Sequence, residues 1–166
     1  MAGHASPNSK NGHGANGGEP PRWVNGGAPI SIGIPGGADA PRRARSLTSP
    51  HLTHACSAIA SDAQLIISEL VTNSVRHGGV EADRMVTIDL ALLEGYLRIT
   101  VTDPGCDVEP QLLTENADGL GGHGLRLLDR LSAAWGVGRD AVGATQVWCD
   151  LVFDPGRGRG PQARSI

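Results

Sequence analysis

The chain has 166 residues, the size of one ordinary domain, and its 24 glycines and 11 prolines make it rich in turn-forming residues. Lys10 is the only lysine, which excludes a phosphate-binding loop ending in Gly-Lys-Ser/Thr and a kinase that holds ATP with a strand lysine. The formal net charge is −3, and residues 29–153 carry 9 arginines against 15 acidic residues, so direct binding of nucleic acid is not expected.

The composition divides the chain into three parts. Residues 1–28 are rich in Gly, Pro, Asn and Ser, and we expect a disordered N-terminus because so few apolar side chains cannot offset the entropy of ordering. Residues 154–166 are predicted to be a disordered Arg/Gly tail, which leaves one domain over residues 29–153. No apolar run approaches the ~20 residues of a membrane span, and no hydrophobic signal region begins the chain. We therefore expect a cytoplasmic protein without a membrane partner.

The first predicted elements are a strand and a helix. Residues 30–34 alternate in the manner of a short edge strand. Asp39 stands where a helix N-cap is expected, and Pro41 would lie in the first turn. Pro50 is expected to end or kink this helix, because proline removes a backbone donor and clashes with the preceding turn.

A second helix is predicted from a cap at Ser61 or Asp62 to about His77, where Gly78 and Gly79 close it.

The remaining pattern predicts strands paired as hairpins and one more helix. A tight turn at Glu94-Gly95 would join the first two of these strands, and a long loop spans residues 104–121. The strands are expected at residues 85–93, 96–102, 135–139 and 145–153, and the helix at 122–134. Separate helices and hairpin-forming strands predict an α+β fold: a two-layer sandwich with a mixed, mostly antiparallel sheet and helices on one face.

The second helix carries a narrow polar stripe. At 100° per residue, Glu69, Asn73 and His77 fall within one 80° sector that also contains Ile66. Apolar residues occupy the other side, so the helix is predicted to be buried nearly all round, beside a cavity. An Asn oxygen suits Mg²⁺, and a nearby Glu can accept a proton from a nucleophile. The alternative is a surface helix whose Glu69 and Asn73 face water. His77 is either a contact of the ligand site or a hydrogen-bonded structural side chain at the helix end.

Two later segments could complete a ligand site. Asp103 ends a strand, and with Gly105 close behind it could accept a hydrogen bond from the amino group of a flat ring. Gly122 and Gly124 open a helix, whose N-terminal N–H groups attract anions. Each segment alone has a plainer interpretation, a common turn and a flexible linker. A dinucleotide-binding fold is rejected because no strand precedes these glycines.

The order of the three segments resembles the GHKL ATPase superfamily, whose fold is known as the Bergerat fold. Residues 68–78, with the sequence SELVTNSVRHG, resemble its N box. Asp103-x-Gly105 resembles the first glycine box, and Gly122-x-Gly124 the second. The resemblance covers roughly residues 29–153. Within the superfamily, this segment is most similar to the bacterial anti-sigma factor serine/threonine kinases. Three further segments resemble the C-terminal half of that branch: residues 127–131, Trp135-Gly136 and Val147-Trp148.

This resemblance implies a role for each motif residue. Glu69 would be the catalytic base and Asn73 the Mg²⁺ ligand at the bound ATP. Asp103 would bind the adenine amino group, and Gly105 would lie behind the ring.

The phosphates of ATP would be held by the second glycine box. Gly122 and Gly124 would bind them, with Arg126 one turn into the helix, and residues 106–121 would form a lid over the nucleotide.

The implied activity is that of an ATP-dependent protein serine/threonine kinase, a transferase. Members of that branch phosphorylate an anti-anti-sigma (STAS) protein and alternately bind a sigma factor, which regulates transcription by partner switching. Relatives often form homodimers, and the sequence leaves the oligomeric state open. The alternative function is a non-catalytic module that grips a partner protein with ATP or without nucleotide.

Several other residues have no assigned role. Arg42, Arg43 and Arg45 form either a solvated face or a contact for an acidic partner, and Thr145 is left without a function.

Histidines and cysteines do not make a convincing metal site. His51, His54 and Cys56 are interpreted as scattered polar residues near a helix end, and Cys149 is expected in the core.

Overall fold

The computed structural model describes residues 29–93, 95–104, 123–140 and 143–153. A single 3₁₀ turn, Ser57–Ile59, joins the first two helices. The elements in chain order are β1 (Ile30–Pro35), α1 (Ala40–Cys56), α2 (Ala60–His77), β2 (Met85–Leu93), β3 (Tyr96–Asp103), α3 (His123–Leu131), β4 (Ala134–Arg139) and β5 (Thr145–Val152). This order of helices and strands is the one predicted from the sequence.

The strands form one sheet in the order β1-β2-β3-β5-β4, and every pairing within the described ranges is antiparallel. The α+β fold is confirmed, as is the edge position of β1. The β2–β3 hairpin turns at Gly95, whose φ of 84° lies in the left-handed region that glycine adopts without strain.

The helices cover one face of the sheet. α1 contacts β1, α2 contacts β2 and β3, and α3 contacts β4, so the helices lie in the order α1, α2, α3 across the strands. The predicted alternation along β3 is confirmed, because Leu97, Ile99 and Val101 are all buried under this helical layer. Asp103 continues the same row and therefore faces the helices too.

The core lies between α2 and the middle strands. A large aliphatic side chain in such a place contributes about 2–5 kcal/mol, as judged by truncation to Ala. The fully buried residues of this core include Ile66, Ile67 and Val71 of α2, Val86 and Ile88 of β2, and Ile99 of β3. Cys149 of β5 is also fully buried, as predicted.

The prediction that Pro50 ends α1 is wrong, because the helix continues to Cys56. A kink at Pro50 stays a prediction. Pro50 and Ser46, whose carbonyl loses its helical partner, are both exposed, so water can satisfy that carbonyl. Thr48 and Leu52 are buried on either side and hold the helix against the rest of the protein. Tertiary packing thus outweighs the local preference of proline.

The predicted helix caps also need correction. Asp39 occupies the N-cap of α1, but its side chain makes no capping hydrogen bond; its carbonyl accepts one from the Arg43 N–H at 3.0 Å. α2 begins at Ala60 behind Ile59, so neither Ser61 nor Asp62 caps it.

The third helix is shorter than predicted. α3 ends at Leu131, and Ala134, expected to be helical, begins β4. The Ala133 N–H donates to the Asp150 carbonyl at 2.8 Å. Pairing with β5 therefore begins at a residue that the sequence pattern assigned to the helix.

The predicted disordered ends lie outside the described residues, as does nearly all of the predicted loop after β3. Among the described residues, no helix combines the length and the apolar character that crossing a membrane requires.

Candidate functional site

α2 presents two different flanks to its neighbours. On one flank α1 packs closely, since Arg45 Nη1 donates to Ser68 Oγ at 3.0 Å and Gln64 Nε2 donates to Thr48 Oγ1 at 3.0 Å. The flank on the other side of the helix carries Glu69 and Asn73. Because α2 lies between α1 and α3, this second flank faces the side of the molecule on which α3 lies.

Glu69 and Asn73 are both half-buried on that flank. They are one turn apart, with a rise of about 6 Å between their backbones, so a small ion or a phosphate could be approached by both side chains. Next in the stripe, His77 is exposed.

The prediction that α2 is buried nearly all round is wrong. Leu65 is 47% exposed and Arg76 is exposed, so the helix has an ordinary solvent face. Ile66, which shares the sector of the polar stripe, is fully buried. The stripe therefore marks the border between the core face and the solvent face, which is where a side chain can touch both a ligand and the protein.

Asp103 lies beneath the C-terminal end of α2. Only 7% of the residue is exposed. A Cβ added to Gly78, the residue directly after α2, would lie 3.3 Å from Asp103 Oδ2 and 3.4 Å from its Cγ. The carboxylate is thus in close contact with the backbone that ends the helix bearing Glu69 and Asn73, about 7–8 Å along the axis from Asn73.

The segment that follows α2 is fixed against the start of the domain. The Gly37 N–H donates to the Val80 carbonyl at 2.9 Å, and the Gly36 N–H donates to the Arg84 carbonyl at 2.8 Å. Gly36 packs so closely that an added Cβ would lie 2.4 Å from the carbonyl oxygens of Val80 and Glu81. These contacts fasten the segment that directly follows α2 to the segment between β1 and α1.

α3 points its N-terminus toward the same end of the sheet. Arg139, the last residue of β4, pairs with Thr145, and Thr145 pairs with Asp103, so β4 runs toward the Asp103 end. Only Ser132 and Ala133 separate α3 from β4, and so short a connection reverses the chain. α3 therefore runs in the opposite direction to β4, from the Asp103 end of the sheet.

The N-terminal turn of α3 contains two of the predicted phosphate-binding residues. Gly124 is its second residue, so its backbone N–H is one of the donors that a helix leaves without internal partners. Arg126 lies in the same turn and is exposed. Gly105, Gly122 and the predicted lid over residues 106–121 lie outside the described residues.

Thr145 and Gly78 are the neighbours of Asp103 that the sequence pattern did not assign. Thr145 is half-buried and is the direct cross-strand partner of Asp103 on the helix-facing side. Its position is fixed by the β4–β5 turn, in which the Ala144 N–H donates to Asp140 Oδ1 at 2.9 Å. Thr145 and Asp103 are 42 residues apart, and no local pattern links them. Only the register of β3 with β5 shows that they are neighbours.

These residues fit a nucleotide with its metal ion. A largely buried carboxylate at the strand end can accept from a ring amino group, and a side-chain amide and a carboxylate one helical turn apart have the oxygen ligands that Mg²⁺ prefers. The start of α3 adds N–H donors and an arginine for phosphate charge. The arrangement needs no lysine, in agreement with the composition.

A family model for the histidine kinase-like ATPase domain matches residues 38–149. The match spans about two thirds of the chain and includes Glu69, Asn73 and Asp103. The chain belongs to this family of ATPase domains. Membership indicates ATP binding, commonly with Mg²⁺. No curated protein matches the chain.

Proposed function

We propose that this ATPase domain is a protein serine/threonine kinase of the anti-sigma factor type. In this proposal it phosphorylates an anti-anti-sigma (STAS) protein and controls a sigma factor by partner switching. The observation that carries the proposal is the position of Glu69, half-buried one turn from Asn73 on the flank of α2 that faces away from α1. A domain that only bound nucleotide would need Asn73 and Asp103 but no carboxylate at this position.

Each residue has a chemical task in the proposed reaction. Mg·ATP, when bound, would supply the phosphoryl group to the serine or threonine oxygen of the partner, with ADP as the leaving group. Asp103 orients the adenine by accepting from its amino group, and Asn73 provides a neutral oxygen for the metal ion. Glu69 accepts the proton of the substrate serine or threonine hydroxyl, a role that contributes typically 10²–10⁴-fold to a rate.

A phosphotransfer assay with radiolabelled Mg·ATP and STAS-domain proteins from the same genome tests the proposal. We expect Glu69→Gln to lower kcat by about 10²–10⁴-fold and to leave the KM for ATP nearly unchanged, because Gln keeps the shape but cannot accept the proton. Glu81→Gln is the matched control, since Glu81 is an exposed carboxylate outside the site.

Two results would contradict the kinase proposal. One is a Glu69→Gln variant that transfers phosphate as fast as the wild type. The other is a wild type that binds ATP and a STAS partner but transfers nothing, which would favour the non-catalytic binding module.

A further inference from the structure

Gly78 and Gly79 are adjacent glycines that serve different purposes. Gly79 has a φ of +59°, and an added Cβ there would meet no atom within 4 Å, so its backbone conformation explains the glycine. Gly78 has a φ of −81°, which any residue adopts without strain. The glycine at position 78 is therefore required by the lack of room for a side chain, and not by its backbone conformation.

The space at Gly78 is bounded on two sides. An added Cβ would lie 2.5 Å from the Ser74 carbonyl oxygen and 3.3 Å from Asp103 Oδ2. The Ser74 oxygen belongs to the last turn of α2, and Ser74 is itself buried. A methyl group that moves away from this backbone oxygen has the Asp103 carboxylate as its next neighbour.

The backbone on either side has little freedom to relieve the contact. The hydrogen bond from Gly37 to the Val80 carbonyl ties down the segment two residues after Gly78. Asp103 is held at its own backbone by pairing with Thr145. At 3.3 Å the Asp103 carboxylate is closer than an ordinary Cβ contact, so a methyl group at Gly78 would require it to shift by a few tenths of an ångström.

We infer that Gly78 is a positioning residue for the Asp103 carboxylate and thereby sets the preference of the site for adenine. The inference rests on the proposed nucleotide site, in which Asp103 accepts from the adenine amino group. Gly78 itself touches no ligand; the absence of its side chain lets the carboxylate stand where an amino group can reach it.

The test compares Mg·ATP with Mg·inosine triphosphate, which carries a 6-oxo group in place of the 6-amino group. Calorimetric titrations give the two affinities for the wild type, Gly78→Ala and Gly79→Ala. We expect the wild type to prefer ATP and Gly78→Ala to lose about tenfold of that preference, through weaker ATP binding alone. Gly79→Ala adds the same methyl group one residue later, strains the backbone and keeps the preference.

The outcomes separate the inference from the proposal beneath it. A wild type that binds neither nucleotide contradicts the nucleotide site and the inference together. A wild type that prefers ATP, beside a Gly78→Ala variant that keeps the full preference, overturns the inference alone. A loss of preference in Gly79→Ala equal to that in Gly78→Ala also overturns it, since general destabilisation would then explain both.

The Asp103→Ala background guards against a variant that does not fold. If Gly78 acts through Asp103, adding Gly78→Ala to Asp103→Ala changes neither affinity further. Should Gly78→Ala alone fail to fold, a double variant that folds would locate the clash at the carboxylate, as the inference requires. A double variant that remains unfolded would locate the clash at the Ser74 carbonyl and refute the inference.

Discussion

Cys149 shows how burial controls the chemistry of a single side chain. Its thiol is fully buried in β5. Burial, and secondarily the charge of Asp150, raises the pKa of the Cys149 thiol to about 12. The thiolate is the reactive form, so the folded protein should keep this cysteine inert at ordinary pH.

We expect iodoacetamide at pH 8.5 to leave Cys149 unmodified in the folded protein and to modify it in urea, as read by mass spectrometry of the peptide that contains it. The pKa of Cys149 in the folded protein lies above that of an unfolded thiol. Its contribution to the free energy of unfolding is therefore complete below about pH 8.5 and is lost as the pH rises toward 12. Rapid alkylation of Cys149 without denaturant would show that the thiol is accessible.

The pairing of β4 with β5 depends on a glycine beneath an aromatic ring. The indole of Trp148 lies flat against Gly136, its partner in the register, at a distance of 2.8 Å from where a Cβ would be. The Arg98 guanidinium stacks over the same ring, 4.8 Å from its centroid, and forms two hydrogen bonds with Asp150 at 2.7 and 2.8 Å. These side chains order the sheet face that the helices do not cover.

We expect Gly136→Ala to destabilise the domain by about 1–3 kcal/mol, because the ring must move to admit the methyl group. Gly138→Ala, in the same strand, is the matched control: a Cβ there meets no atom within 4 Å, so its effect should be near zero or slightly stabilising. Urea unfolding curves of the two variants give the free energies of unfolding. Equal losses in both variants would show that strand flexibility, and not the ring contact, explains Gly136.

The elements could be predicted from the sequence where a periodic pattern was long. The alternation of Leu97, Ile99 and Val101 located β3 and its buried face. Helix ends were harder, because capping depends on geometry that residue type does not determine: Asp39 is in place but makes no side-chain cap. Pro50 was misjudged because its exposed position, which makes it tolerable inside α1, is a property of the packed molecule.

The candidate site combines residues from three distant parts of the chain, which only folding brings to one end of the sheet. The motif residues Glu69, Asn73 and Asp103 were identified from the sequence together with the family resemblance. Gly78 and Thr145 were not identified as neighbours of Asp103, because one contact depends on how α2 lies over β3 and the other on strand register. Local patterns carry residue types and periods, whereas these contacts arise from tertiary packing.

The nucleotide site is tested most directly by the thermal unfolding midpoint with and without saturating Mg·ATP, for the wild type and Asn73→Ala. A ligand at 100 times its Kd adds about 2.7 kcal/mol, which for a domain of this size is a rise of about 5–10 °C. We expect that rise for the wild type and for Thr72→Ala, a control on the same helix away from the candidate site, and a much smaller rise for Asn73→Ala. A wild-type midpoint that Mg·ATP does not move would contradict the nucleotide site and every role assigned to it.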